Sequence, residues 1–380
     1  MTRSTTLPPR ELLAIAAPGL EAVLARELAA LGWPAPRAMT GGVTATGGLR
    51  ELAAACRGSR CATDLRVRVG RCAARDLDGL ARGLQRMPWS LFLRPREPVE
   101  VSVSSRGSPL RRRDAVADKA GLAIRDALRG PWVPDAVPRR HGAAAPARVH
   151  LRIEGEQVEA SIDPCDGPLW QRGWRARGGA APLRENLAAA ALIELGWRGD
   201  RPLVDPFSGS GTLLIEAAGI AAGLLPAAGR RFAFERWPCA SGLRPPPDVR
   251  RQAVRRAVIL GADADGRAIS TARANAQRAR VAELIQWQEQ PIDALEAPPG
   301  PPGLLLCNPP WGRRLGRDVR GVYAALGRVA GERFAGWEVA LFCPDAALVA
   351  LTRLSLHPRL SFPAGGLRVS LWAGRIPDRA

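Results

Sequence analysis

The sequence predicts an α/β chain. A mostly parallel sheet flanked by helices, at 182–380, follows two smaller α+β modules at 1–69 and 70–165 and a linker at 166–181. Three observations carry this reading. Short apolar runs recur in the C-terminal half, each followed by a helical period, which is how strands buried on both faces of a parallel sheet read. Strand segments in the N-terminal half instead alternate apolar and polar residues, as half-buried strands do. Finally, 380 residues with 46% apolar content exceed a single hydrophobic core, so two or three domains are expected.

The first module opens with a strand at Leu12–Ala16 and a helix with Leu20, Val23, Leu24, Leu28 and Leu31 on one face, stopped by Gly32. Val43, Ala45 and Leu49 begin a strand-turn unit, and Asp64–Val69 alternates as a strand. The second module has a helix at Leu77–Met87, a strand at Val99–Ser104 and a helix at Asp114–Leu128 capped by Asp114. A hairpin follows at Val149–Glu154 and Val158–Ile162, turning at Gly155, with a Pro/Ala-rich loop at Gly130–Pro146. From Pro182 the rhythm becomes βαβ. Strands are expected at Leu203–Val204, Val258–Asp263, Leu284–Trp287, Leu304–Asn308 and Val339–Cys343, with closing strands at Leu356–Phe362 and Leu367–Ala373. Helices are expected at Thr212–Ala222, Gly266–Arg280, Tyr323–Phe334 and Ala346–Leu354.

Composition narrows the function classes. The formal net charge is +19, from 55 basic and 36 acidic residues. Lys119 is the only Lys, a bias that GC-rich codons explain; codon bias does not explain the excess of basic over acidic residues, so a nucleic acid is the expected partner. The seven Cys are scattered, and the nearest pair, Cys56 and Cys61, has no His nearby; a reduced cytoplasmic protein without disulfides or metal is expected. No apolar stretch reaches transmembrane length and no signal peptide is visible, so no membrane role is expected. His141, His150 and His357 are isolated.

Two motifs carry chemistry. In Asp205-Pro206-Phe207-Ser208-Gly209-Ser210-Gly211-Thr212 the glycines let a ligand approach the backbone, and the following helix N-terminus favours a carboxylate such as that of methionine. The loop is neither a P-loop nor the six-residue dinucleotide fingerprint; its plain alternative is a tight strand-to-helix turn. Asp263, with Ala264 after it, ends the next strand, where a carboxylate can accept from both ribose hydroxyls; Asp265 serves better as the cap of the next helix. An insertion at 224–247 containing Phe234-Glu235-Arg236-Trp237 lengthens this unit, and reads as a packing loop.

Asn308-Pro309-Pro310-Trp311 suits methylation of an amine held in a plane. The Asn308 side-chain oxygen and the Asn308 carbonyl can accept from one NH2, the prolines supply no donors, and Trp311 offers a face for stacking. Arg111, Arg112 and Arg113 precede a helix, where positive charge opposes the macrodipole unless an anion sits there; a solvated turn is the alternative. Trp170, Arg172, Trp174, Arg175 and Arg177 interleave aromatic and guanidinium groups, suiting either single-stranded RNA or a linker that packs its Trp residues.

Together the runs Gln171-Arg-Gly-Trp-Arg, Ala181-Pro-Leu-Arg-Glu-Asn-Leu-Ala, Asp205 to Ala218, Phe234-Glu-Arg-Trp and Asn308-Pro-Pro-Trp-Gly-Arg-Arg-Leu-Gly resemble the THUMP-domain RNA guanine-N2 methyltransferases. Val322-Tyr-Ala-Ala-Leu-Gly continues the likeness, which covers nearly the whole chain and leans toward enzymes of large-subunit rRNA and related tRNA enzymes. The resemblance implies a ferredoxin-like module (1–69), a THUMP module (70–165) and a Rossmann-like methyltransferase sheet with a C-terminal antiparallel strand (182–380). It implies S-adenosylmethionine as donor, held by Asp205, Phe207, Ser208, Gly209, Gly211, Thr212, Asp263 and Ala264. Asn308, Pro309, Pro310 and Trp311 would hold the flipped guanine amine. Ser208 stands where the family often has Cys, Trp311 where it often has Tyr, and Arg313 where a Glu is frequent. The usual adenine-contacting acid is Pro291 here, with Asp293 as substitute. Arg111, Arg112, Arg113, Lys119, Arg172 and Arg175 are the expected RNA contacts. Adenine-N6 or glutamine methylation, and a catalytically silent RNA-binding assembly factor, are the rival readings.

Overall fold

The computed structural model describes residues 7–128, 145–175, 183–243, 257–311 and 318–378. The loop expected at Gly130–Pro146 therefore lies mostly outside the described residues, as do His141, Arg177 and Arg313.

The N-terminal half is one seven-stranded sheet. Its strands are β1 (Arg10–Ile15), β2 (Arg37–Met39), β3 (Gly42–Gly47), β4 (Asp64–Ala73), β5 (Val99–Arg106), β6 (Ala147–Glu154) and β7 (Gln157–Ile162), in the order β2-β3-β1-β4-β7-β6-β5. Only the β5–β6 pair is parallel. Alternation sets the burial: Leu65, Val67 and Val69 of β4 and Val149, Leu151 and Ile153 of β6 are buried. The expected border at 69/70 falls inside β4, which pairs with β1 on one side and β7 on the other, so the two modules share a sheet. Four helices accompany it: α1 (Glu21–Ala30), α2 (Leu49–Gly58), α3 (Leu77–Gln85) and α4 (Arg113–Ala127). Helix α2 replaces the turn expected after Leu49. Its start signal is local, Glu51 accepting from the Gly48 N–H at 2.8 Å.

The C-terminal half is a second seven-stranded sheet of β8 (Leu203–Asp205), β9 (Ile259–Asp263), β10 (Gln286–Glu289), β11 (Leu304–Cys307), β12 (Glu338–Cys343), β13 (His357–Ala364) and β14 (Leu367–Arg375). The order is β10-β9-β8-β11-β12-β14-β13, parallel from β10 to β12 and antiparallel at β14 and β13. This is the Rossmann-like sheet with reversed closing strands that the resemblance implies. The helices are α5 (Glu185–Glu194), α6 (Thr212–Ala221), α7 (Gly266–Arg278), α8 (Val319–Arg333) and α9 (Ala346–Ala350). Helix α5 was not visible in the sequence because Glu185 through Leu192 are all buried, leaving no polar face to create a period.

After β8 the chain moves outward to β9 and β10, then returns to β11 on the other side of β8. Ligands bind at such a reversal, beyond the strands' carboxyl ends. The insertion packs as expected: Phe234 and Trp237 are buried, Trp237 meets Phe92 edge-on at 5.0 Å, and Glu235 pairs with Arg57 of α2. No described helix is long and apolar enough to cross a membrane.

Candidate active site

Asp205 ends β8, and the chain turns through the Gly-rich loop into α6. The Phe207 N–H donates to Asp205 Oδ1 at 3.0 Å, and the Ser208 N–H to the Ala262 carbonyl of β9 at 3.0 Å. Gly209 and Gly211 have φ of +51° and +83°. A Cβ on Gly211 would stand 2.9 Å from the Trp287 ring and 3.1 Å from the Ala272 Cβ, so glycine is required twice over there. The Gly209 N–H reaches across to Asp263 Oδ2 at 2.9 Å, tying the ends of β8 and β9 together. Asn275 of α7 donates to the Ser210 carbonyl at 3.0 Å.

The two acids differ. Asp205 is 1% exposed, and burial, aided by the neighbouring Asp263, raises its carboxyl to about 8. It supports the loop from beneath. Asp263 is half-buried, with exposed Ala264 after it, and its Oδ1 accepts the Asp265 N–H at 3.0 Å. Each Asp263 oxygen keeps a further lone pair for a ligand hydroxyl. Asp265 caps α7 on the Arg267 N–H at 2.9 Å, as its position suggested.

Strand β11 lies against β8, pairing Leu304 with Leu203 and Leu305 with Val204, so Asn308 follows two residues beyond the level of Asp205, at the start of the Gly-rich loop. Pro309 is buried, while Asn308, Pro310 and Trp311 are half-buried. Trp311 is more than a stacking face: its indole N–H donates to Asn308 Oδ1 at 3.1 Å. An indole N–H only donates, so this contact fixes which end of the amide is oxygen.

Two expected RNA contacts are corrected. The Arg172 side chain is 2% exposed; its guanidinium donates to Glu216 of α6 at 3.2 Å and to the Leu169 and Arg60 carbonyls at 2.5 and 2.6 Å. Arg60 joins Glu216 from the N-terminal half at 2.9 Å. Arg175 stacks on Trp174 and donates to Glu185, the Leu183 carbonyl, Ser210 Oγ and Thr212 Oγ1 at 2.9–3.2 Å. Both arginines therefore hold the start of α6 and the Gly-rich loop against their surroundings, because their partners converge from segments far apart in sequence. Asp293 is exposed, and its carboxylate pairs with Arg328 of α8. Lys119 pairs with Asp78 at 2.8 Å on the surface. Arg111, Arg112 and Arg113 remain exposed, with Arg112, not Asp114, at the cap of α4 and making no side-chain capping bond.

Sequence reasoning missed Glu185, Asn275 and Glu216. One signal was available: Asn occurs at 186, 275 and 308 alone, and each side chain makes a hydrogen bond, Asn186 reaching the Cys61 carbonyl and Thr63 of the N-terminal half. Buried Glu185 Oε2 and Ser208 Oγ have no hydrogen-bond partner among the described residues, which fits a polar ligand at the loop. Away from the site, Asp64, Asp163 and Cys165 bring donor atoms within 4.8 Å. Arg66 and Arg148 stand 3.9 Å from those carboxylates, supplying the counter-charge a cation would otherwise provide.

Comparison with known proteins agrees with the geometry. Residues 172–359 match the RMKL-like methyltransferase domain and residues 11–67 the RlmL ferredoxin-like domain. The chain is 35% identical, over 94% of its length, to the ribosomal RNA large subunit methyltransferase K/L of Chromohalobacter salexigens, of which it spans 51%. The structure of SMU.472 complexed with SAH superposes with a TM-score of 0.84 at 26% identity, covering 98% of this chain and 99% of that one. A predicted N6-adenine-specific DNA methylase from Listeria monocytogenes gives 0.82 at 26% identity, covering 97% of each chain. With its loop and Asn-Pro-Pro-Trp tetrad on adjacent strand ends, the chain carries an RMKL-like methyltransferase domain at residues 172–359 behind an RlmL-type ferredoxin-like domain at residues 11–67.

Proposed function

We propose that this protein transfers a methyl group from S-adenosylmethionine to the exocyclic N2 amine of a guanosine in RNA, with large-subunit rRNA as substrate. The observation that carries the reading is the position of Asn308, one strand over from the Gly-rich loop. Bound there, the cofactor would supply an electrophilic methyl on its sulfonium. Ser208, Gly209, Gly211 and Thr212 would cradle its methionine half, and Asp263 would accept from its ribose. Trp311 occupies one lone pair of Asn308 Oδ1, leaving the other and the Asn308 carbonyl to accept from the target amine. Both acceptors favour a more tetrahedral, nucleophilic nitrogen, whose proton leaves to solvent. The base is flipped or single-stranded. The rRNA substrate follows the name of the Chromohalobacter relative, and the Arg111–Arg113 run at the start of α4 would meet phosphates.

The Listeria neighbour's name favours a second reading, adenine N6, through the same acceptors. Purified chain, labelled cofactor and unmodified rRNA decide between them when the product nucleosides are resolved by mass spectrometry. N2-methylguanosine supports the proposal; N6-methyladenosine replaces it; no transfer to any RNA returns the chain to a binding or assembly role.

A further inference from the structure

We propose that the open face of the N-terminal sheet binds a phosphate group, in a groove of about 470 Å3 lined by Arg66 and Arg68 of β4, His150 of β6 and Ser161 of β7. Alternation puts these side chains on the face opposite the core, since their neighbours Leu65, Val67, Val149, Leu151, Ala160 and Ile162 are all buried. Register then gathers them. Ser161 is paired with Arg68 on one side and His150 on the other, and Arg66 lies two residues along β4 from Arg68.

What marks the groove is donors without acceptors. Arg66 Nε, Arg68 Nε and His150 Nε2 are buried and have no hydrogen-bond partner among the described residues. Ser161, 4% exposed, accepts from Arg68 at 2.9 Å, and its own proton is left for another acceptor. The nearby carboxylates do not meet this demand. Glu11 and Glu159 are shared between Arg71 and the Nη2 of Arg68. The ion pair from Arg66 to Asp64 is 3.9 Å long, too far for a hydrogen bond. His150 Nδ1 already lies 2.6 Å from Ser102 Oγ, and burial, with Arg66 and Arg148 beside it, pushes the ring down to about 4. Orphan buried donors are costly, and here they converge from three strands among positive charges. The missing partner must be negative and accept from several directions. A metal cation is repelled, a carboxylate offers two oxygens in one plane, and a phosphate offers three or four in a tetrahedron. A bound phosphate would also draw His150 to its protonated form, with Nδ1 donating to Ser102 and Nε2 to the ligand.

The test follows the imidazole C–H resonances of the full chain by NMR while inorganic phosphate is added, with His150→Gln identifying the His150 signal. That signal should move saturably with phosphate and stay put in sodium chloride of equal ionic strength. Its titration midpoint, about 4 without phosphate, should rise by roughly one pH unit or more at saturation. Arg66→Met should raise the phosphate concentration needed for half saturation by roughly tenfold, since a charge-assisted bond is lost. A His150 signal that phosphate moves no more than chloride does, or half saturation unchanged in Arg66→Met, overturns the site. If the Met variant does not fold, the wild-type midpoint decides alone, and a midpoint that phosphate leaves in place overturns it. A short single-stranded RNA with hydroxyl ends then separates the sources of the phosphate. Displacement of inorganic phosphate by this RNA assigns the site to the RNA backbone; phosphate that stays bound assigns it to a small phosphorylated molecule.

Discussion

Arg172 and Arg175 on one hand, and Arg111 to Arg113 on the other, are the same side chain in two opposite situations. In the sequence both groups sit in basic, loop-like stretches and both suit an RNA phosphate. In the structure the Arg172 side chain is buried and Arg175 half-buried, under hydrogen bonds to Glu216, Glu185, Ser210 and Thr212, while Arg111 to Arg113 stand exposed at the start of α4. The difference lies in what surrounds them. Arg172 and Arg175 follow β7 and precede α5, so they must pass between the two sheets, where Arg60 and Glu216 already meet. A guanidinium's planar fork of donors is suited to collecting several carbonyls and carboxylates at such a junction. Positive charge in this chain thus stands in two settings, one enclosed and one exposed, and net charge does not tell them apart.

The sharpest way to break this comparison is to remove a buried member. Arg172→Met leaves Glu216 with Arg60 alone and strands the Leu169 and Arg60 carbonyls. Denaturant unfolding should register a loss of about 3–5 kcal/mol, the cost of leaving two buried carbonyls without donors. Weakened RNA binding at unchanged stability would instead restore Arg172 to the RNA-contact class.

Next in size is the tetrad, which we propose holds the target amine. Asn308→Ala should lower the single-turnover methylation rate by at least about a hundredfold, some 2.7 kcal/mol of barrier, because its acceptor matters most as the target nitrogen becomes tetrahedral. Ligand binding at the loop should survive, since neither Asp263 nor Gly209 depends on Asn308. A folded variant that methylates at the wild-type rate would reduce the tetrad to a turn.

How much of this was legible in the sequence follows the range of the forces involved. Strand ends were legible: Asp205, Asp263 and Asn308 were read as lying beyond adjacent carboxyl ends, and the parallel pairing puts them there. Short-range periodicity and Gly spacing suffice for that. Helix α5 was not legible because it is buried all round; α2 has a distinct apolar face of Leu52, Ala55 and Cys56, but its start is capped by Gly48 rather than by Ser, Thr, Asp or Asn. Partners set by tertiary contact were invisible. Nothing near Asp293 announces Arg328, and nothing near Arg175 announces Ser210. The adjacent Arg112 and Arg113 hid a different error, since α4 begins one residue before Asp114 and leaves that acid in its first turn.

Titration sharpens the contrast between acid beneath the loop and acid facing the crevice. The folded-state carboxyl of Asp205 is raised to about 8 by burial, so the folded chain holds a proton that the unfolded chain releases near 4. Its contribution to stability is full below the unfolded value and is lost as pH rises from about 4 toward 8. Relative to Asp205→Asn, whose amide does not titrate, the wild-type melting temperature should fall steadily across this range. Parallel pH curves for the two proteins would mean that Asp205 is ionised when folded, and that the loop holds a counter-charge for it.

The smallest effect tests the exposed arginines. Changing Arg111, Arg112 and Arg113 together to Ala should leave thermal stability and ligand affinity nearly unchanged, because these exposed side chains carry none of the bonds that hold the Gly-rich loop. Losing charge ahead of α4 even relieves an unfavourable encounter with its macrodipole. If the run meets RNA phosphates, each lost contact releases fewer counterions, and the slope of log affinity against log salt should flatten by about 0.7–0.9 per contact. Binding should weaken by a similar factor across RNA sequences, since phosphate contacts carry no base information. An unchanged slope would make the run a solvated turn, and the excess positive charge of the chain would then need another surface to meet its substrate.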